Sequence, residues 1–207
     1  MSDRTPHVSP ALSGSGSLLP EYFDQLYAES SDPWEFATSP YEAAKYAATL
    51  AALPRPTYAS ALELGCSIGV LTRQLAARCT GLLATDVSAA ALQKARERCS
   101  DLSHVRFDCR DLTNNFPSDT FDLILVSEIG YYFSETDLAI LRRKIAAALR
   151  PGGHLLLVHY TGETNYPLTA DAVHETFLAW NGIVWTHVAG RSADRYRLDL
   201  LSKHQPA

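Results

Sequence analysis

Residues 61–70 read ALELGCSIGV, from Ala61 to Val70, and the rest of the chain can be placed around them. Ala61–Leu64 is a short apolar run of strand character. It meets Gly65, a tight loop and the start of a helix at Val70. Gly65 lets the chain turn sharply and lets backbone approach a ligand closely. Gly69 is expected to let the helix pack against the strand. The N–H groups of the helix's first turn have no partner inside the helix and point at whatever lies above the loop. A dinucleotide loop has the spacing GxGxxG, and its middle glycine makes room for a pyrophosphate. Ser67 stands at that place here and the third glycine is absent. The loop therefore suits a smaller, partly cationic ligand better than a pyrophosphate.

Strand and helix patterns alternate on both sides of this loop. Glu21–Glu29 and Pro40–Leu53 have helical spacing, and Pro54 and Pro56 then break the chain. Further strands are expected at Leu82–Thr85, Val105–Asp108, Phe121–Ser127 and His154–Tyr160, with helices at Val70–Arg78, Ser88–Arg98, Glu135–Leu149 and Thr169–Trp180. Ser88 is a ready helix cap. The run RPGG at 150–153 stops the helix before it. Ile183–Ala189 and Tyr196–Leu201 are strands so closely linked, by GRSAD, that they must be antiparallel neighbours. The expected fold class is α/β: a seven-stranded, mostly parallel, Rossmann-like sheet with helices on both faces and a C-terminal antiparallel hairpin. Ligands in such sheets lie at the carboxyl ends of the strands, near the switch in strand order.

Composition narrows the function. A chain of 207 residues suggests one domain. Residues 1–19, rich in Ser, Gly and Pro, read as a mobile tail, which leaves a single domain over 20–207. A net charge of −5 suits a phosphate backbone poorly, so no nucleic-acid partner is expected. No apolar run approaches the roughly 18–20 residues that span a bilayer, and the N-terminus lacks the apolar core of a secretory signal. Four cysteines without a CxxC pair read as reduced thiols of a cytoplasmic protein. Seven histidines without HxH or HExxH give no metal site. A monomer or homodimer acting on a small molecule is expected.

Three more strand ends carry chemistry. Asp86 ends the second strand, where an acid can accept hydrogen bonds from both hydroxyls of a ribose. Asp111 follows the third, where a carboxylate can receive an adenine amino group, with Val87 and Leu112 sandwiching the ring. The fourth ends in the polar and aromatic cluster SEIGYYF, 127–133. A nicotinamide-dependent oxidoreductase would also use Asp86, but the missing middle glycine and the hairpin count against it. A binding protein that has lost the reaction would keep all these features.

These features together resemble the class I S-adenosylmethionine-dependent methyltransferases, from about Ala61 to the C-terminus. Within that class, DPW at 32–34, GCSIGVLTRQLA at 65–76, SEIGYYF at 127–133 and LRPGGHLL at 149–156 look like the nodulation protein S family. Those relatives methylate the free amine of a deacetylated chitooligosaccharide. The resemblance implies S-adenosyl-L-methionine as cofactor, S-adenosyl-L-homocysteine as product and N-methylation of an amino sugar or similar amine, with O-methylation of a small metabolite as the alternative. It implies that Glu63 serves the methionine end, that Gly65, Cys66, Ser67 and Gly69 line the methionine part with Ser127 and Glu128 beside it, and that Asp86 and Asp111 bind ribose and adenine next to Val87 and Leu112. It also implies a helical lid over 20–56, with Tyr22, Trp34 and Tyr41 folding over the cofactor, on a core of 57–207.

Methyl transfer to an amine needs an unprotonated nucleophile, and histidine is the usual base. His159 ends the fifth strand and His174 lies on the helix after YPLT; both are expected as bases. Glu128, Tyr131 and Tyr132 are expected to bind the acceptor. His154 and His104 read as structural, Trp180 and Trp185 as core, and the run RRK at 142–144 as a solvated helix face.

Overall fold

Side-chain caps and prolines set where the helices begin. In a computed structural model, which describes residues 11–205, Pro20 and Pro40 open α1 (Pro20–Glu29) and α2 (Pro40–Ala51), where the missing N–H of proline costs nothing. The hydroxyls of Ser88, Ser134 and Thr169 cap α4 (Ala89–Arg98), α5 (Glu135–Ala148) and α6 (Ala170–Leu178) by accepting from a backbone N–H three residues on. The remaining helix, α3, spans Val70–Ala76.

The strands are β1 (Ala61–Leu64), β2 (Leu82–Asp86), β3 (Val105–Cys109), β4 (Phe121–Ser127), β5 (Leu149–Tyr160), β6 (Trp185–Ala193) and β7 (Tyr196–Lys203). They form one seven-stranded sheet in the order β3-β2-β1-β4-β5-β7-β6. The first five are mutually parallel, and β7 runs antiparallel to both β5 and β6. The strand order reverses between β1 and β4, whose last residues stay in register, Leu64 opposite Val126 and, on the other side, Thr85. The chemistry-bearing strand ends therefore lie side by side. Both faces are packed. β4 is buried almost throughout, with Leu123, Ile124, Leu125 and Val126 at most 1% exposed, as a central strand between helical layers must be.

The architecture is the expected one, with differences at three places. β5 begins at Leu149, directly after α5, so RPGG starts a strand rather than filling a loop, and Phe121 pairs with Leu149 across a register shift. β6 runs from Trp185 to Ala193, so most of GRSAD is strand and the hairpin turns at residues 194–195. Gly, Ser and Asp favour turns locally, but pairing with β7 overrides them.

Residues 11–19 also differ from the expected tail. Leu12 bridges Leu18, the Leu18 N–H donates to the Tyr132 carbonyl, and Leu18 is buried. The Ser15 and Ser17 hydroxyls both donate to Asp137 Oδ2 at 2.5 Å, and the Ser134 N–H donates to Ser17 Oγ. The segment is a strap tied to the start of α5. The rest of the expected tail, residues 1–10, lies outside the described residues. No helix among the described residues is long and apolar enough to cross a membrane.

Candidate active site

The loop after β1 forms the floor of a cavity of about 370 Å³. Gly65 has φ +76°, and a Cβ there would lie 2.1 Å from Ile129 Cγ2, so only glycine lets the β1 and β4 loops close on each other. Ser67 also takes a left-handed conformation, φ +51°. Its N–H donates to Asp86 Oδ2 at 2.8 Å, and its hydroxyl bonds the Tyr27 hydroxyl of α1 at 2.5 Å. α1 is thereby fastened directly over the loop.

Asp86 is fixed through both oxygens, Oδ1 accepting from the Ser88 N–H at 3.0 Å. Burial pushes its carboxyl up, against the pull of the Ser88 and Ser67 amides. Asp111 closes the opposite end. Burial opposes its ionisation, but the Thr113 hydroxyl at 2.6 Å and the Asn114 amide at 2.6 Å hold it below the ordinary carboxylate value. Val87 and Leu112 line the space beside these two acids, and Ser127 and Trp34 line it nearer the β1–β4 switch. Glu63 is 2% exposed, and its Oε2 has no hydrogen-bond partner among the described residues. Burial above all, with some repulsion from Asp86, raises its pKa to about 8. With Cys66 it lines a pocket of about 30 Å³ that shares Gly65, Ser67 and Ser127 with the large cavity.

Gly69 does something other than expected. It lines neither space; its own Cβ would lie 2.9 Å from the Ala95 Cα, so it brings α3 against α4 rather than against the strand.

A second chamber of about 30 Å³ adjoins the large cavity and shares Trp34, Phe36, Glu128 and Tyr132 with it. Its remaining walls include Tyr131, Tyr160, Tyr166, Glu42 and Lys45. Trp34 and Phe36 stack at 5.5 Å, and Tyr131 and Tyr166 at 5.1 Å. Glu128, at φ +60°, faces both spaces. One of its oxygens accepts from Lys45 Nζ; the other accepts from the Tyr131 hydroxyl and, at 2.9 Å, from the Tyr160 N–H. Lys45 is 1% exposed and pairs also with Glu42. Burial favours the neutral amine, but the two glutamates outweigh it and hold Lys45 charged. Two glutamates thus surround one lysine.

Tyr131 lines the chamber, and Tyr132 lines both spaces. His159 and His174 do not stand where a base must be. Both are fully buried, and neither lines either cavity. His159 Nε2 accepts from the Gly130 N–H at 3.0 Å, its Nδ1 bonds His174 Nε2 at 3.0 Å, and His174 Nδ1 bonds Asp199 at 2.6 Å. Every ring nitrogen is occupied. Burial first, then His174 and Lys45, hold His159 well below the usual histidine range.

Of the three aromatics expected in a lid, only Trp34 lines the cavity. Tyr22 sits in the main core, and the Tyr41 hydroxyl donates to the Arg195 carbonyl at the hairpin. The run RRK is not a plain solvated face: Arg142 stacks on Trp180 at 3.9 Å, and Lys144 reaches the Leu112 carbonyl at 3.3 Å. His154 bonds the Tyr58 hydroxyl and His104 the Ala76 carbonyl, both structural roles as expected. Glu42, Lys45, Tyr160, Tyr166 and the strap serines escaped sequence reading. The one local signal was the polar set Glu42, Lys45 and Thr49, which share a face of α2 and point inward.

Known proteins resemble this chain in sequence and in fold. The chain is 34% identical to Nodulation protein S of Rhizobium tropici over 131 residues, 61% of this chain and 54% of that protein. It spans 54–61% of the length of the first three such relatives. Its fold matches the crystal structure of the N-methyltransferase NodS from Bradyrhizobium japonicum WM9 in complex with S-adenosyl-L-homocysteine, with TM-score 0.79 and 25% identity over 89% of this chain and 98% of that one. A solved structure from Pseudomonas syringae is 39% identical over 79% of this chain and 99% of its own, with TM-score 0.69. The family model for Nodulation protein S (NodS) matches residues 23–163, the stretch that carries α1, the glycine loop, both acids and the β4 cluster, and the chain belongs to that family.

Proposed function

We propose that the protein is an S-adenosyl-L-methionine-dependent methyltransferase that methylates the amine of a small acceptor, an amino sugar or similar metabolite. One observation carries the reading: a cofactor-sized cavity and a small aromatic, acidic chamber meet at Glu128. When bound, the cofactor supplies a methyl group on a positively charged sulfur.

The residues present fit that cofactor. Asp86 and Asp111 keep lone pairs free for ribose hydroxyls and an adenine amino group, between Val87 and Leu112. Glu63, buried with an unpartnered oxygen, fits the ammonium of the methionine part beside Gly65, Cys66 and Ser67. Ser127 and Trp34 complete that end. In the chamber, the excess carboxylate attracts an ammonium, and the aromatic faces add cation–π attraction. Glu128, which reaches both spaces, is the proposed proton acceptor as the amine becomes the nucleophile. The main task of the walls is alignment and exclusion of water. Four free cysteines suit a reducing compartment, so the proposed setting is cytoplasmic.

The test is titration calorimetry with S-adenosyl-L-homocysteine and with NADH. Binding of the first and not the second is expected; the reverse would leave the fold and remove the methyltransferase reading.

A further inference from the structure

If Glu128 is the base, the two buried histidines need another role, and their hydrogen-bond polarity defines one. The Gly130 N–H can only donate, so His159 Nε2 must carry the lone pair. His159 Nδ1 then holds the proton and donates to His174 Nε2. The proton of His174 lies on Nδ1 and points at Asp199 Oδ2. Three donors run in one direction and end on a carboxylate that Arg197 Nε also holds, at 2.8 Å, and that reaches the sheet edge through His187 at 2.6 Å. Bonds aligned in this way polarise and strengthen one another.

The other end of the chain is the turn that furnishes the acceptor chamber. Gly130 opens the helical turn Gly130–Tyr132. A Cβ on Gly130 would lie 2.4 Å from Val173 Cγ1 and 2.8 Å from His159 Nε2, so the turn is pressed against the histidine. Tyr131 follows directly, its ring edge-on to His159 at 5.3 Å and its hydroxyl on Glu128. Three buried polar side chains are a poor way to fill a core, since matched apolar groups stabilise at least as well.

We propose that Asp199, His174 and His159 are positioning residues, a one-way hydrogen-bond chain that seats the Gly130–Tyr132 turn and so sets Tyr131, Tyr132 and Glu128 for the acceptor. The proposal rests on the reading of that chamber as the acceptor site.

The test uses the full chain with His159→Leu, which removes both bonds, and His159→Gln, which can accept from Gly130 and donate to His174. Imidazole ¹⁵N resonances of the wild type should report the Nδ1–H form of both rings. His159→Leu should move the ¹³C ring resonances of Tyr131 and Tyr132 and weaken S-adenosyl-L-homocysteine binding less than it weakens use of the acceptor, because Glu128 and Tyr132 also line the large cavity. With ethanolamine and glucosamine as amine probes, kcat/KM on a probe that turns over should fall about tenfold, the scale of a lost buried hydrogen bond. His159→Gln should restore both readouts. An Nε2–H form of His159, unmoved tyrosine resonances, or a Gln variant no better than Leu would overturn the proposal. The ¹⁵N measurement decides on the wild type alone if His159→Leu does not fold. Failure of the wild type to bind S-adenosyl-L-homocysteine would strike the methyltransferase reading instead, and the resonances would still decide the seating of the turn.

Discussion

Glu63 shows how one buried carboxyl links stability to ligand binding. Its pKa rises to about 8, chiefly through burial. Between the ordinary glutamate value of about 4.3 and that value, the folded protein keeps a proton that the unfolded chain has lost. The contribution of Glu63 to stability is therefore fully present below the unfolded pKa and is lost as pH rises through about 8. At most one proton is involved, so the slope is at most about 1.4 kcal/mol per pH unit. Urea unfolding from about pH 5 to 8 should show this decline in the wild type and a flatter one in Glu63→Gln. A ligand ammonium beside Glu63 favours the carboxylate, so S-adenosyl-L-homocysteine binding at pH 7 should release a proton. Calorimetry in buffers of different ionisation enthalpy reads that release, and an equal value in Glu63→Gln would remove Glu63 from the ammonium site. Asp86→Ala should weaken the same binding by roughly 1–3 kcal/mol through unmade charged hydrogen bonds, and an unchanged calorimetric affinity would take Asp86 out of the ribose site.

At the scale of elements, what sequence reveals depends on how local the cause is. The α3 and α4 starts, the glycine loop and β4 follow from neighbouring residues: Gly65 before a helix, Ser88 as a cap, an unbroken apolar run at 123–126. The strap was read as a tail because Ser and Gly favour disorder. Its partner, Asp137, lies 120 positions away from Ser17, and no local pattern signals it. The histidines were misjudged for a similar reason. Their place at the correct sheet edge was legible, but Asp199 on β7 and the Gly130 N–H, which occupy their nitrogens, were not. Only Ser17 and Leu18 of the strap are buried, so it should open more cheaply than the core. Asp137→Ala removes the acceptor of both serine hydroxyls. It should speed proteolysis within residues 11–19 and weaken S-adenosyl-L-homocysteine binding, because Ser13, Ser15, Ser17 and Leu18 line the cavity. Unchanged proteolysis and affinity would mean that the strap is not a closure.

Over the whole molecule, the sheet order does most of the placing. Reversal between β1 and β4 opens one gap at the carboxyl edge, and both cavities draw on it, the larger through Gly65 and Ser127 and the smaller through Glu128. β5 and β7 carry His159 and Asp199 behind the β4 turn, next to the chamber, while α1 and the strap line the large cavity. The large cavity and the chamber thus draw on different layers and both include Glu128. A ligand that fills the large cavity should stabilise the fold as a unit, because its walls come from α1, the loop after β1, the ends of β2 and β4, α5 and the strap together. S-adenosyl-L-homocysteine at a hundredfold excess over its dissociation constant should add about 2.7 kcal/mol to unfolding. That shift should appear as one cooperative rise in Tm, with the strap and the core melting together. A strap that becomes protease-sensitive well below the main transition, with ligand present, would show that the cofactor closes on the core alone.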